Sequence, residues 1–227
     1  KPPSSRYGAG ADVSQGTGAT PSCLSIADGR TGEKVLEYVD PNIDPLSFGS
    51  LAVALCWMFS DEDGQGAKLV WENHGPGTAF GKRVWKELRY LNVYFNTKED
   101  RLGQAVSDNP GWNPNGKGAK LDLHVQYRAA LVDGRYMNRS ESSLQETLNF
   151  KHDARGGTVE HTQFANVSDP SAGRENHGDN VVADALSYKM TTCMKEKVKV
   201  EEAKIPNCFS VAGRREMHRE RARKAVW

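Results

Sequence analysis

The sequence predicts a mixed α/β fold, in which one sheet has three antiparallel strands first and parallel crossover strands later, flanked by helices. Three short segments with alternating apolar and polar residues open the chain, and segments rich in turn residues separate them. A helical pattern, a short apolar run, a second helical pattern and a brief strand follow, which is the order of a parallel crossover unit. The 37% hydrophobic and 26% charged content of the 227 residues is that of an ordinary globular protein.

Local patterns place the individual elements of this fold. Asp44 before Pro45 predicts the start of one helix, Thr78 after a Gly-Pro-Gly segment predicts a second, and Ser140 caps a third short helix. Residues 96–118 are rich in glycine, asparagine, aspartate and proline and predict a long loop. The predicted strands are 6–13, 23–27, 34–39, 67–71 and 92–95, the predicted helices are 46–59, 78–88, 119–131, the segment after Ser140 and 179–195, and a hairpin is predicted at 150–165.

Two of the helices have apolar residues at helical spacing, which predicts the face that each one buries. The predicted buried residues are Leu121, Val125, Ala129 and Val132 in the helix at 119–131, and Val182, Ala185, Leu186 and Met190 in the last helix. Both helices are therefore expected to contribute to the core.

Charge and cysteine content exclude several classes of protein. The formal net charge of +1 excludes a uniformly basic nucleic-acid-coating protein and leaves room for local basic patches. The four cysteines show no close pairing, which favours a reducing compartment over secretion. The longest apolar run, at 51–59, is too short to span a bilayer, and no signal peptide precedes the first strand. Basic residues concentrate at the end of the chain, so we predict a domain at 1–200 and a basic C-terminal tail at 201–227.

Three acidic residues stand at the ends of predicted elements: Asp12 ends the first strand, Glu72 follows a later strand, and Asp179 opens the last helix. Elements in this order would bring the three carboxylates together at one edge of the sheet in a ribonuclease H-like fold. Two divalent ions about 3.5–4 Å apart hydrolyse phosphodiesters by activating water and offsetting charge on the leaving oxygen. Such ions prefer oxygen ligands, so this pattern predicts a metal-dependent nuclease. The alternative for each acid is a turn or cap residue, and for Asp179 it is the N-cap of its helix.

Two further residues near Asp179 are candidates for the same site. Asp184 lies five residues later, about 140° around a helix axis, and is a candidate fourth metal ligand, a group that supports the ligands from outside, or a polar residue at the rim. His177 is a candidate for orienting water or a phosphate from outside the ligand set, and a structural histidine is the alternative.

Other chemistries lack their sequence patterns. Residues 16–18 (Gly-Thr-Gly) have no Lys-Ser/Thr partner and no helix directly behind them, so they do not form a phosphate-binding loop. No Gly-x-Ser-x-Gly segment occurs, and the cysteine and histidine spacings do not make a zinc site. A catalytic ATPase within this sequence is therefore not expected.

Three segments around the acids resemble a known family. They are Gly-Ala-Asp-Val-Ser at 10–14, Leu-Val-Trp-Glu-Asn-His-Gly-Pro-Gly at 69–77, and Asn-His-Gly-Asp-Asn-Val-Val-Ala-Asp-Ala-Leu at 176–186. Together with the segment from Gly111 to Phe150, they resemble the C-terminal nuclease domain of the large terminase subunit of tailed bacteriophages. The resemblance covers about 7–194. One departure is Thr20, which stands near the place where many relatives have an aspartate in the turn after the first strand.

This resemblance implies a ribonuclease H-like fold, an endonuclease that cuts concatemeric double-stranded viral DNA during genome packaging, and two magnesium or manganese ions. Asp12, Glu72 and Asp179 match the family's three acids and are expected to hold those ions. The implied partners are double-stranded DNA, the N-terminal ATPase motor of the same full-length protein, and the portal and small terminase subunit. The implied location is the host bacterial cytoplasm, with no membrane association.

Basic residues and one tryptophan in and after the predicted loop are candidates for holding the DNA backbone without reading its sequence. These candidates are Lys98, Arg101, Trp112, Lys117 and Lys120, and solvated loop charge is their alternative. Two other functions remain open: a resolvase or transposase of the same fold, and a non-catalytic module whose basic tail docks on a portal or small-subunit partner.

Overall fold

The computed structural model of this chain describes residues 2–100, 103–115, 118–152, 159–161 and 178–194. The chain divides into one compact unit of Lys1–Met194 and a second of Lys195–Trp227, and every described residue belongs to the first. The predicted basic tail lies outside the described residues. Within the described part, no helix combines the length and the apolar character needed to cross a bilayer.

A four-stranded sheet lies at the centre of this unit. Its strands are β1 (Tyr7–Asp12), β2 (Ser22–Asp28), β3 (Lys34–Asp40) and β4 (Lys68–Trp71), in the order β3-β2-β1-β4. The pairs β1/β2 and β2/β3 are antiparallel, whereas β1 and β4 are parallel, so the predicted mixed sheet is confirmed. Because β1 and β4 run in the same direction, they end at the same edge of the sheet.

The strand predicted at 92–95 is shorter than expected. It contributes a single parallel bridge between Val93 and Leu69. Two backbone hydrogen bonds flank this bridge, from Leu69 N to Asn92 O and from Tyr94 N to Leu69 O, each 2.9 Å long. The crossover after β4 therefore extends the sheet by one residue pair.

The prediction of a long loop at 96–118 is wrong for most of this segment. Strands β5 (Phe95–Asp100) and β6 (Gly103–Pro110) form an antiparallel hairpin instead. Thr97 and Val106, the β-branched residues of these strands, lie opposite each other in the ladder. Strands as polar as these lack the alternation of apolar and polar residues that identifies a strand in a sequence. Their sequence therefore cannot be distinguished from that of a loop, although their backbones pair.

The first helix, α1 (Pro45–Met58), begins as its sequence predicts. The side chain of Asp44 accepts hydrogen bonds from the backbone N–H groups of Leu46 and Ser47, at 2.9 and 3.1 Å. These bonds satisfy two donors that the first turn of a helix leaves without partners.

The second helix, α2 (Pro76–Gly81), begins before the predicted cap at Thr78. Its N-cap is Gly75, whose φ of 52° favours glycine. Proline suits the first helical position because its φ is fixed near the helical value. Its lack of an N–H group costs nothing there, since an N–H at this position would have no partner within the helix. The Gly-Pro-Gly segment therefore starts the helix rather than separating it from β4, and the chain continues into a π-helical segment at Lys82–Glu87.

The remaining elements are α3 (Ala119–Val132), α4 (Glu141–Leu148), β7 (Phe150–His152), β8 (Val159–His161) and α5 (Asp179–Cys193). The predicted cap of α4 is confirmed, because the Ser140 side chain accepts from the N–H of Ser143. The predicted hairpin is also confirmed, since β7 and β8 pair antiparallel, while its turn lies outside the described residues.

The buried face of α3 differs from the predicted one. Leu123, Tyr127 and Ala130 are buried, whereas Val125 is 50% and Val132 is 79% exposed. Tyr127 is the reason for the difference. Its ring fills the core while its hydroxyl group reaches a buried carboxylate, so a residue with a polar end defines the inward face.

Helices cover both faces of the sheet. Alternating residues of the strands point to opposite faces, so Leu69 and Trp71 pack with α1 and α2, while Val70 packs with α3 and α5. The last helix, predicted to bury one face, is buried on almost every side, and Ala185, Leu186 and Met190 are among its fully buried residues.

Two glycines bring α5 directly onto β1. A Cβ atom at Gly10 would lie 2.3 Å from the carbonyl oxygen of Ala183, and one at Gly8 would lie 2.8 Å from the Cβ of Met190. The helix therefore runs antiparallel to β1, so that its first residue, Asp179, lies toward the end of β1 at Asp12.

Candidate active site

Asp12 is the last residue of β1 and lies among charged groups from three other elements. The dense packing around its carboxyl group raises its pKa well above the usual value of 3.8. The carboxylates of Asp179 and Glu72 raise this pKa further, and the Lys120 ammonium group lowers it. The three acids that the sequence places at separate element ends therefore interact electrostatically at one edge of the sheet.

Glu72 follows β4 directly and is held there by a short parallel extension of that strand. Its backbone bridges with Trp112, whose N–H donates to the carbonyl of Trp71 at 2.8 Å. The Glu72 Oε1 atom lies 3.7 Å from the Lys120 Nζ atom in the first turn of α3. Because the Lys120 side chain is 52% exposed, this ion pair is weak and easily exchanged for another contact.

Asp179 is the first residue of α5 and does not cap that helix. The N-cap is Gly178, with a φ of 78°, and no side chain of the cap residue bonds to the helix N-terminus. The Oδ2 atom of Asp179 is buried and has no hydrogen-bond partner among the described residues. Burial raises the pKa of Asp179 to about 7, and the Glu146 carboxylate contributes to this increase.

Glu146 is a site residue that sequence reasoning missed. It lies in α4, is 8% exposed, and accepts hydrogen bonds from the backbone N and the side-chain Nδ2 atom of Asn180, at 3.1 and 2.7 Å. No local signal distinguishes it, because glutamate is common in helices and its partner is distant in the sequence. Only the packing of α4 against α5 reveals it.

Asp184, the candidate fourth ligand, belongs to a different group of residues. It is fully buried, and its Oδ1 atom lies 2.8 Å from the Nζ atom of Lys34 in β3. Its Oδ2 atom accepts hydrogen bonds from Ser143 at 2.5 Å, Asn138 at 2.8 Å, Lys34 at 3.0 Å and Tyr127 at 3.3 Å. Apart from the ion pair to Lys34, Oδ1 has no hydrogen-bond partner among the described residues. Because Asp184 is fully buried, the prediction of a polar residue at the rim is wrong, whereas its role as a fourth ligand stays a prediction.

The structure places the residues predicted to contact DNA in different environments. Trp112 is 5% exposed and packs in the core with α3 and α5, so the structure does not place it on a surface that DNA could contact. Lys120 is exposed and stands beside Glu72. The side chain of Lys98, whose backbone lies in β5, is outside the described part of the structure, as are Arg101, Lys117 and His177.

Asp12, Glu72 and Asp179 fit a hard divalent cation in their donor chemistry. All three offer carboxylate oxygens, and their mutual repulsion favours a bound positive charge. Of these oxygens, the buried Oδ2 atom of Asp179 has no hydrogen-bond partner among the described residues, so it is available to a cation. Their side-chain positions do not, however, form a cage: among the described residues, no group of three or more His, Cys, Asp or Glu side chains is arranged to hold a metal ion. Glu72 is instead paired with Lys120.

The raised pKa of Asp179 predicts how stability changes with pH. Between its usual value of 3.8 and about 7, the folded protein binds this proton and the unfolded chain does not. The contribution of Asp179 to stability therefore falls as pH rises through that window. We expect Asp179→Asn to increase the melting temperature of the metal-free protein more at pH 8 than at pH 5, as measured by thermal unfolding in EDTA. An equal increase at both values would contradict this prediction.

No protein-family model matches the sequence, and no curated protein matches it. Solved structures do match. The large terminase nuclease from thermophilic phage G20c with bound magnesium has a TM-score of 0.58 and 18% identity, covering 83% of this chain and 82% of that chain. The large terminase nuclease domain of a Thermus phage has a TM-score of 0.55 and 16% identity, covering 81% and 78%.

A third similar structure is a variant nuclease domain of the large terminase subunit gp2 of bacterial virus Sf6, with manganese and beta-thujaplicinol. Its TM-score is 0.50 at 15% identity, covering 85% of this chain and 90% of that chain. Structural neighbours across most of the chain are thus large terminase nuclease domains. At these identities the likeness establishes the fold, and the predicted ribonuclease H-like architecture is confirmed.

Proposed function

We propose that this chain is a metal-dependent endonuclease that cleaves concatemeric double-stranded viral DNA during genome packaging, with little sequence specificity. The observation that carries the proposal is the convergence of Asp12, Glu72 and Asp179 at one edge of a ribonuclease H-like sheet. Neighbours of the same fold were solved with magnesium and with manganese, which supports a cofactor of two such ions here.

In the proposed mechanism, Asp12, Glu72 and Asp179 would hold the two ions, with Asp12 as the ligand that would contribute to both. When bound, the two ions supply an activated water and offset charge on the leaving 3′ oxygen. Asp12 has the central role because its carboxylate interacts with both of the other acids. The packing that raises the pKa of the partly buried Asp12 and Asp179 also strengthens their interaction with a cation.

The proposed domains, substrate and partners are those that the resemblance to large terminase nucleases implies. We propose that residues 1–200 form the nuclease domain and 201–227 a basic tail, and that an ATPase motor belongs to the same full-length protein. In this proposal the portal and the small terminase subunit are further partners, and the enzyme works in the host bacterial cytoplasm.

Lys120, which stands beside Glu72, is a proposed phosphate contact, and Lys98, Arg101 and Lys117 are further candidates. Because its ammonium group is paired only weakly with Glu72, it is able to exchange this partner for a phosphate of a DNA strand that reaches the acids. Neutralising phosphates releases counterions, so each such contact adds about 0.9 to the slope of log affinity against log salt.

We expect Lys120→Ala to weaken binding equally for unrelated duplexes and to reduce that salt slope by about 1. The measurement is fluorescence anisotropy of labelled duplexes at several salt concentrations in calcium, which replaces the catalytic ions. Lys86→Ala is the control. Lys86 is exposed on the π-helical segment, and the chain just after this segment contacts Ala67 at the start of β4, whereas Glu72 follows the end of that strand. Equal slopes for the two variants would remove Lys120 from the DNA contact.

The function itself is tested on supercoiled plasmid. The purified protein should linearise and then degrade the plasmid with manganese or magnesium, and should leave it intact with EDTA. A strong preference for branched over linear duplex DNA would favour the resolvase or transposase alternative. No cleavage with either metal would overturn the nuclease proposal and favour the docking module.

A further inference from the structure

The N-terminus of α5 lacks the cap that its position requires. The first turn of a helix has backbone N–H groups without intrahelical partners, and a side chain of the N-cap residue usually accepts from one of them. Gly178 occupies this position in α5 and has no side chain to offer. Asp179, the first helical residue, does not compensate through its buried Oδ2 atom, which has no hydrogen-bond partner in the part of the chain that the structure describes.

The missing acceptor comes from another helix. Glu146 of α4 places Oε2 at 3.1 Å from the backbone N of Asn180 and Oε1 at 2.7 Å from its side-chain Nδ2 atom. The backbone N–H of Val181 also stabilises the charged form of Glu146. The carboxylate therefore binds the first turn of α5 in the way that an N-cap aspartate binds its own helix.

The location of Glu146 supports this role. It stands near the C-terminal end of α4, where a negative charge is unfavourable for the dipole of α4, whereas the same charge is favourable at the N-terminus of α5. Glu146 and Asn180 are both buried, at 8% and 6% exposed, so water does not readily replace either partner. The two bonds thus fix the first turn of α5, and with it the direction of the Asp179 side chain.

We propose that Glu146 is a positioning residue of the nuclease site, which caps α5 from α4 and leaves the Asp179 carboxylate free to bind a metal ion. This inference rests on the proposed function. The division of roles is chemically useful, since a carboxylate that accepts helix N–H bonds has fewer oxygens to offer a cation. Residues that orient metal ligands in this way usually change metal affinity by about 10- to 100-fold when they are replaced.

The test compares three variants of the full chain. Glu146→Ala removes both acceptor oxygens, and Glu146→Gln keeps one of them. Asp44→Ala is the matched control, since Asp44 caps α1 through the same kind of bonds, to Leu46 and Ser47. Manganese affinity is measured by calorimetric titration, and amide hydrogen exchange of the metal-free protein is measured by NMR.

Glu146→Ala should weaken manganese binding about tenfold or more and speed exchange of the Asn180 and Val181 amides about fivefold or more. Glu146→Gln should lose less affinity than Glu146→Ala. Asp44→Ala should speed exchange only in the first turn of α1 and keep the manganese affinity of the parent protein.

Two results would overturn the positioning role alone. One is a Glu146→Ala protein that binds manganese as tightly as the parent, and the other is unchanged exchange at Asn180 and Val181. A parent protein that binds no manganese would instead overturn the proposed function, and the positioning role with it.

Discussion

Replacing Asp12 with asparagine should remove DNA cleavage and, at the same time, stabilise the metal-free protein. Asp12 is the acid that both other carboxylates act on, so its loss should reduce cleavage at least about a thousandfold, which corresponds to about 4 kcal/mol of transition-state stabilisation. The opposite change in stability has the same cause. An amide of nearly equal size removes a charge that is surrounded by protein and repelled by Asp179 and Glu72.

Plasmid cleavage in manganese and thermal unfolding in EDTA at pH 8 measure these two effects. Asp28→Asn is a matched control, because Asp28 is a buried acid of the neighbouring strand β2 and pairs with Tyr7 at the opposite end of β1. Its carboxylate accepts bonds from Ser5 and from the backbone of Arg30, so the control should lose stability and keep cleavage. Unchanged cleavage by Asp12→Asn would defeat the nuclease assignment.

Replacing Asp184 with alanine should destabilise the protein by about 3–5 kcal/mol. The Lys34 side chain is only 4% exposed, so it would remain as a buried charge without its partner in α5. Its other partner, Glu37, is half-buried and cannot replace a carboxylate that also accepts from Ser143 and Tyr127.

Urea unfolding of the single and double variants measures this effect. The double change Lys34→Met and Asp184→Leu should recover most of the lost stability, because two apolar side chains carry no desolvation penalty. Asp184→Asn, studied while folded, should lose manganese affinity if Asp184 is a fourth ligand. A loss of stability below about 1 kcal/mol in Asp184→Ala would show that the buried pair contributes little.

The sequence predicts the layout of the fold well because its main signals are local. The Asp44 cap and the apolar pattern after it place α1 correctly, and the short apolar run before Glu72 places β4. The order of strands and helices then determines which ends share one edge of the sheet. The grouping of Asp12 with Glu72 therefore follows from strand direction, before any side chain is positioned.

Predictions that depend on distant partners were less successful. Asp184 looked like a candidate for the rim because its partners, Lys34 and Ser143, lie far from it in the sequence. Trp112 looked like a loop residue because its backbone partner, Trp71 at the end of β4, lies far from it in the sequence. Glu146 gave no signal, since its role depends on the contact between α4 and α5.

The glycine contact between β1 and α5 has a consequence for when the candidate site is assembled. Asp12 is synthesised almost first and Asp179 almost last of the described residues, and only the seating of Ala183 and Met190 against Gly10 and Gly8 brings the two ends together. A nascent chain that has not yet been synthesised as far as Asp179 therefore lacks one of the three acids. Under the proposed function, such a chain is unable to damage DNA until nearly all of the described residues have been made and folded.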